Sequence, residues 1–259
     1  MISLIKTNVQ EDGIMFINFN RPPVNALSTD FIKELKDIFL DINKQKNIRV
    51  VIINSLNDNF CAGADLKERK IMSLDGADIA LDNLNECFNL IENCRVPTIA
   101  AINGYCLGGG AELALCCDFR ILEESSIIGF PEVTIGIIPG AGGTQRLSRL
   151  TSISIAKYWI YTGRKFVAEE ALEDGVVDFL ANDGELLETA IELAEEIICN
   201  APLSIESSKK AINDGLKCKD LVEGLTVERE NYRVTLNSED RKEALDAFVE
   251  KRKPKWKGK

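Results

Sequence analysis

Ile99-Ala100-Ala101-Ile102-Asn103-Gly104-Tyr105-Cys106-Leu107-Gly108-Gly109-Gly110-Ala111-Glu112-Leu113-Ala114-Leu115-Cys116-Cys117 is the stretch on which the fold turns. It is apolar enough to raise the question of a membrane span. Asn103, Gly104, the glycine triplet and Glu112 make it a poor bilayer helix. It reads instead as a buried strand over Thr98–Ile102, a glycine turn, and a buried helix. Glu112 then sits where a carboxylate is hard to ionise, and it is the first residue that needs a reason.

Working outward, the same order recurs upstream. The apolar run Val50-Val51-Ile52-Ile53 is a buried strand that leads through Gly63 to a helix start at Leu66. Strands alternating with helices predict an α/β fold with parallel pairing. Before them, Ile2, Leu4 and Ile5 and the run Ile14–Phe19 flank Glu11-Asp12-Gly13 as a hairpin. Ser28 caps a helix with the stripe Phe31, Leu35, Ile38 and Ile42, and Leu81, Leu84, Phe88 and Ile91 form another stripe. Further strands are expected over Asp118–Leu122 and Val176–Leu180, with Gly175 closing the helix Ala168–Asp174. Beyond residue 183 the pattern is helical, with one stripe at Leu187, Ala190, Ile191, Ala194 and Ile198. The last helix starts at Ser238 and has Leu245, Phe248 and Val249 on its apolar face. The chain therefore divides into an α/β core, residues 1–200, and a helical segment, residues 201–259.

Composition narrows the chemistry. The 259 residues include 31 basic and 41 acidic side chains, a net charge of −10, which disfavours nucleic acid and anionic lipid as partners. There is no histidine. That excludes a Ser-His-Asp triad, a Cys-His pair and any imidazole metal ligand. Proton transfer near neutrality must come from a carboxylate with a raised pKa, or from a lysine or cysteine with a lowered one. The 8 cysteines have no C-x-x-C spacing, and Cys116-Cys117 lies in an apolar run. They read as buried reduced thiols rather than disulfides or a metal site. With no signal-peptide core near Lys6, a cytoplasmic location is expected.

Gly108–Gly110 and Gly140-Ala141-Gly142-Gly143-Thr144 match neither a P-loop nor a dinucleotide fingerprint. They are either tight turns or sites where amide N–H groups at a helix start face developing negative charge. Gly63-Ala64-Asp65 offers the same device. Glu112 is either a buried acid paired with an arginine such as Arg120, or a catalytic carboxylate whose pKa burial raises. Glu132, in Gly129-Phe130-Pro131-Glu132, is a second acid among apolar residues; alone it reads as an ordinary loop carboxylate. Two carboxylates and two N–H donors would suit proton transfer beside a carbonyl that becomes an enolate.

Six stretches carry a resemblance. They are Arg21-Pro22-Pro23-Val24-Asn25-Ala26-Leu27; Phe60-Cys61-Ala62-Gly63-Ala64-Asp65-Leu66-Lys67; Asn103 to Ala114; Phe130-Pro131-Glu132; Ile138 to Leu147; and Ala247 to Arg252. Together, in order and along nearly the whole chain, they resemble the enoyl-CoA hydratase/isomerase (crotonase) family. The resemblance implies a spiral of ββα units with a helical C-terminal trimerisation segment, a homo-oligomer that is a trimer or dimer of trimers, and acyl-CoA substrates. It implies no metal and no organic cofactor, coenzyme A being part of the substrate. Carried over by position, the amides of Ala64 and Gly109 form the oxyanion hole. Ala62, Ala64, Asp65 and Leu66 line the adenine and pantetheine path, with Ala26 and Lys67 nearby. Glu112 and Glu132 match the two glutamates that share the catalytic water in the hydratases. Glu112 would assist attack on C3, and Glu132 would give a proton to C2. The implied activity is reversible syn hydration of a trans-2-enoyl-CoA to a 3-hydroxyacyl-CoA.

Two alternatives stay on the same scaffold: an enoyl-CoA isomerase, and a methylglutaconyl-CoA hydratase. Phe60 to Arg69 and the ending Lys253-Pro254-Lys255-Trp256-Lys257-Gly258-Lys259 resemble that second branch. From a different class, the basic tail offers the reading of an RNA-binding protein, although no RNA motif accompanies it. Its other readings are a solvated tail, or a lid that offers a cation to coenzyme A phosphates. A catalytically idle trimeric scaffold is the remaining alternative, and nothing in the sequence supports it.

Overall fold

The computed structural model describes residues 3–259. A hairpin of β1 (Ile5–Val9) and β2 (Ile14–Phe19) opens the fold, as expected; Ile2 lies outside the described residues. Helix α1 (Thr29–Ile42) starts where the Ser28 hydroxyl accepts the Phe31 amide proton, and it buries Phe31, Leu35, Phe39 and Ile42. Then come β3 (Val50–Ser55), a short α2 (Leu66–Ile71) and a long α3 (Leu74–Glu92). The deciding stretch forms β4 (Thr98–Ile102), β5 (Tyr105–Leu107) and α4 (Gly109–Ala114). It is followed by β6 (Phe119–Glu123), β7 (Ile127–Gly129), a 3₁₀ turn over Pro131–Ile135, α5 (Gly143–Leu150) and α6 (Ile153–Thr162).

The path is a spiral. β2, β3, β4 and β6 enter one parallel sheet in that order, with β1 on one edge and β9 (Phe179–Ala181) on the other. After its strand each turn adds a shorter extended piece to a second layer, and then a helix. β5 and β7 are two such pieces and pair in parallel; β8 (Lys165–Val167) closes that layer antiparallel to β7. Earlier turns contribute only single bridges, Cys61 to Cys106 of β5 and Leu27 to Ala64. This stepwise ladder brings Leu27, Ala64 and Gly109 together although they are far apart in sequence.

The large sheet is covered on both faces, which explains its continuous apolar strands. Met15, Ile17, Val51, Ile53, Ala100, Ile102 and Leu122 face the main core with α1 and α3. The alternate residues Ile14, Phe16, Val50, Ile52, Ile99, Ala101 and Ile121 pack on Ala190 and Ala194 of α8 (Leu186–Ile198). Each fully buried Val, Leu, Ile, Met or Phe side chain contributes about 1.5–3 kcal/mol. Six cysteines are buried and all eight are free thiols; burial pushes Cys61, Cys87 and Cys117 up to about 12.

Some expectations shift by a residue or more. On α8 it is Leu186 that is buried and Leu187 that is exposed. Of the stretch expected as a strand, only Phe179 and Leu180 pair, in β9; Val176 and Val177 are buried in the turn after α7 (Ala168–Glu173), where Gly175 does follow the helix end in the left-handed region. α9 (Pro202–Gly215), α10 (Leu221–Leu236) and α11 (Glu239–Glu250) complete the chain. The apolar face expected on α11 exists but is uncovered: Leu245, Phe248 and Val249 are exposed, as are Leu216, Leu221 and Val222. The basic tail is not a freely solvated run. Trp256 Nε1 donates to the Cys199 carbonyl at 2.7 Å, and the amides of Lys257 and Gly258 donate to the buried Asp240. Arg252 pairs with Glu243 and Glu250.

Candidate active site

Two turns after neighbouring strands build the site. In the first, Asp65 caps α2: its Oδ1 accepts the amides of Lys67 and Glu68 at 3.1 and 3.2 Å. Its Oδ2 takes a 2.6 Å bond from Arg21, and that bond, before the cap amides, holds the carboxyl below its ordinary range. Arg21 also donates to the Ala26 carbonyl. Beside it, fully buried Asn25 donates to Ser55 Oγ and to the carbonyls of Asn59 and Phe60, and accepts from Arg21 N and Asn57. This cluster fixes the strand of chain that carries Ala62 and Ala64.

The second turn needs each of its glycines differently. Gly108 has φ +54° and ψ −122°, a backbone conformation that L side chains rarely adopt. A Cβ on Gly110 would lie 2.2 Å from the Cys61 carbonyl oxygen, so the two turns touch backbone to backbone. Gly109 opens α4 against Leu27 and Ala64, its built Cβ 3.7 Å from Ala64 N. Among the described residues, neither Ala64 N–H nor Gly109 N–H meets an acceptor. Two adjacent donors are thus unclaimed by the fold.

Glu112 follows one turn into α4 and is 3% exposed. Its Oε1 accepts the amides of Ala141 and Gly143, both at 2.8 Å. Gly143 permits that approach, since its Cβ would meet Glu112 Cγ and Oε1 at 3.0 Å. Desolvation raises the Glu112 pKa, while the two amides and the Arg146 charge hold it back. Glu132 enters from the 3₁₀ turn, with Oε1 3.2 Å from a Cβ built on Gly108. Its Oε2 is buried and unpartnered. Burial first, then the Glu112 charge, pushes its pKa to about 7. Two carboxylates thus flank one glycine turn with unequal support.

The profile of a family described as enoyl-CoA hydratase/isomerase matches residues 9–259. The chain belongs to the enoyl-CoA hydratase/isomerase family. It is 45% identical to the probable enoyl-CoA hydratase 2, mitochondrial, of Arabidopsis thaliana, across 99% of this chain and 86% of that protein. It is 40% identical to a short-chain-enoyl-CoA hydratase of Clostridium acetobutylicum, across 94% of each. The crystal structure of an enoyl-CoA hydratase from Bacillus anthracis superposes with a TM-score of 0.96 at 44% identity, covering 99% of this chain and 100% of that one. The spiral is therefore the crotonase fold of this family.

Against the family pattern, the expected site residues fall into two groups. Ala64, Gly109, Glu112 and Glu132 surround one turn, as the geometry above describes. Ala26, Ala62 and Asp65 are half-buried along the first turn, whereas Leu66 and Lys67 are exposed at the start of α2. Asp65 gives its carboxylate to Arg21 and the helix cap, leaving little of it to receive a ligand. Arg120, the suggested partner of Glu112, instead pairs with Asp178 at 2.7 Å. Sequence reasoning gave no role to Arg21, Asn25 or Arg146. Arg21 and Asn25 stood inside a family motif, but only their partners, 30 to 44 positions away, show what they do.

Proposed function

We propose that the chain is an enoyl-CoA hydratase that reversibly adds water across the C2=C3 bond of a trans-2-enoyl-CoA. The observation that carries the reading is the pair of buried carboxylates beside two unclaimed amides. Ala64 and Gly109 N–H bind the thioester oxygen and stabilise the enolate-like state, the kind of preorganised electrostatic effect that dominates many enzymes. Glu112 keeps one oxygen on two amides and the other for water, so it is the better base. Glu132, pushed to about 7 and without a partner on Oε2, is the better acid. Water attacks C3 as its proton passes to Glu112, and C2 takes a proton from Glu132. Both acids return to their starting states when a proton is redistributed through the next water. The chemistry draws on these carboxylates and amides, with no metal or organic cofactor in any step.

An isomerase needs one base that shuttles a proton between C2 and C4, so keeping both acids favours hydration. The uncovered apolar residues on α9, α10 and α11 support a homo-oligomer, a trimer or dimer of trimers. The test is loss of the conjugated enoyl-thioester absorbance when crotonyl-CoA is added. Rapid loss that Glu112→Gln abolishes supports hydration. Loss only with 3-methylglutaconyl-CoA moves the protein to that branch, and binding without loss points to isomerase substrates.

A further inference from the structure

The loop that holds Glu112 is itself held by α3. Arg146, from α5, donates through Nη1 to the Ala141 carbonyl at 2.9 Å, while its other nitrogens bond Glu92 at 2.7 and 3.2 Å and Asn89 at 2.9 Å. Asn85 donates to the Gly140 carbonyl at 3.2 Å, and Leu81 packs on Gly140. Residues 85, 89 and 92 lie at helical spacing, so one face of α3 grips residues 140–141. The next amides along, Ala141 and Gly143, are those that fix Glu112 Oε1. We infer that Arg146, anchored on Asn89 and Glu92, is a positioning residue that sets the orientation of the Glu112 carboxylate through the 140–143 loop. The inference rests on Glu112 acting as the base.

Its charge matters as well as its hydrogen bonds. The charged or titratable groups around Glu112 are Arg146 of α5, Glu132 of the 3₁₀ turn, Cys116 just past α4 and Glu92 behind Arg146. Arg146 is the cation of this set, and it opposes the effect of burial on Glu112. Removing it lets the Glu112 pKa rise, so activity that needs the ionised base is lost at a higher pH as pH falls.

The test is kcat and KM against pH for crotonyl-CoA hydration by Arg146→Met, Arg146→Lys and Glu92→Gln, with Glu112→Gln beside them. Arg146→Met should lose about 10–100-fold in kcat, the scale of a misplacement of about 1 Å. KM should change little and the acid limb should move to higher pH. Arg146→Lys keeps the cation and should recover the limb more fully than kcat. Glu92→Gln should lower kcat less, and it carries the test if Arg146→Met does not fold. An unmoved acid limb in Arg146→Met, with kcat either normal or falling only with the folded fraction, overturns the positioning role while leaving hydration intact. Wild-type activity in Glu112→Gln overturns the assignment of the base and this inference with it.

Discussion

The turn at Gly63–Leu66 and the turn at Gly108–Gly109 are the same device built twice, and their differences divide the labour. Both come after a strand of the large sheet and a short extended segment of the second layer, and in each a backbone amide, Ala64 N–H or Gly109 N–H, has no acceptor among the described residues. The first enters α2, which buries none of its residues; the second enters α4, which buries all six. Asp65 caps the first helix with a carboxylate that takes the amides of Lys67 and Glu68. Gly108 brings no side chain to the second, so the opening amides of α4 stay open and the adjacent space is left to Glu132. A capped, exposed turn suits holding a long, polar ligand. An uncapped, buried turn supplies the low dielectric in which carboxylates shift their pKa.

The sharpest way to break this division is to neutralise the acids of the buried turn. Glu112→Gln and Glu132→Gln should each lower kcat for crotonyl-CoA hydration by roughly 10²–10⁴-fold, with thioester binding retained by equilibrium titration. A loss in affinity alone would mean the buried turn binds rather than reacts. Next in size, Gly143→Ala pushes a methyl into Glu112 Oε1 and Pro139 Cβ, at 3.0 and 2.9 Å. We expect a fall in kcat of about 10–100-fold from the displaced carboxylate. Gly76→Ala in α3, whose Cβ meets only Ser73 Oγ and Met72 Cβ, at 3.2 and 3.7 Å, is the matching control and should leave kcat unchanged.

The buried turn should also show its strain in stability. The Glu132 pKa, ordinarily 4.5, is raised to about 7. The folded state then binds this proton more tightly than the unfolded one. Its contribution to stability is full below pH 4.5 and is lost as the pH rises through 7. Glu132→Gln should therefore raise Tm relative to wild type at pH 8 and lose that advantage at pH 4.5. The same protonation predicts that kcat/KM falls on the alkaline side near pH 7 and on the acid side as Glu112 is protonated, a bell that either glutamine variant should truncate.

How much of this the sequence disclosed follows from the range of each interaction. Strands β2, β3 and β4 and helices α1 and α3 were legible because burial imposes a period on neighbouring residues. β5, β7 and β8 have three residues each, too short to show one, and the sequence pattern did not place them. Leu186 and Leu187 differ by one step of about 100° on a helix, which pattern alone does not resolve. Glu112 and Glu132 stood out as acids in apolar runs. That Glu112 leans on Ala141 and Gly143, 29 and 31 residues later, has no local signature. The packing of the tail was hidden for the same reason: its charges say nothing of Asp240 and the Cys199 carbonyl, which hold its backbone and Trp256.

The smallest effect tests the exposed turn. Asp65→Asn keeps a cap of comparable strength but exchanges the Arg21 ion pair for a neutral hydrogen bond, and should change stability by about 1 kcal/mol or less. Asp65→Ala removes both and should cost about 1–2 kcal/mol, with the free amides of Lys67 and Glu68 loosening the start of α2. The bonds of Leu27 to Gly63 and Asp65 hold the backbone on both sides of Ala64 without the Asp65 side chain, so both variants should act on KM, alanine more than asparagine, and kcat for crotonyl-CoA should stay near wild type. A kcat that drops with KM unchanged would show that Ala64 N–H is aimed by the cap as strictly as Gly109 N–H is aimed by α4. The helix cap of the first turn would then belong to the reacting machinery along with its amide, and the contrast between the two turns would dissolve.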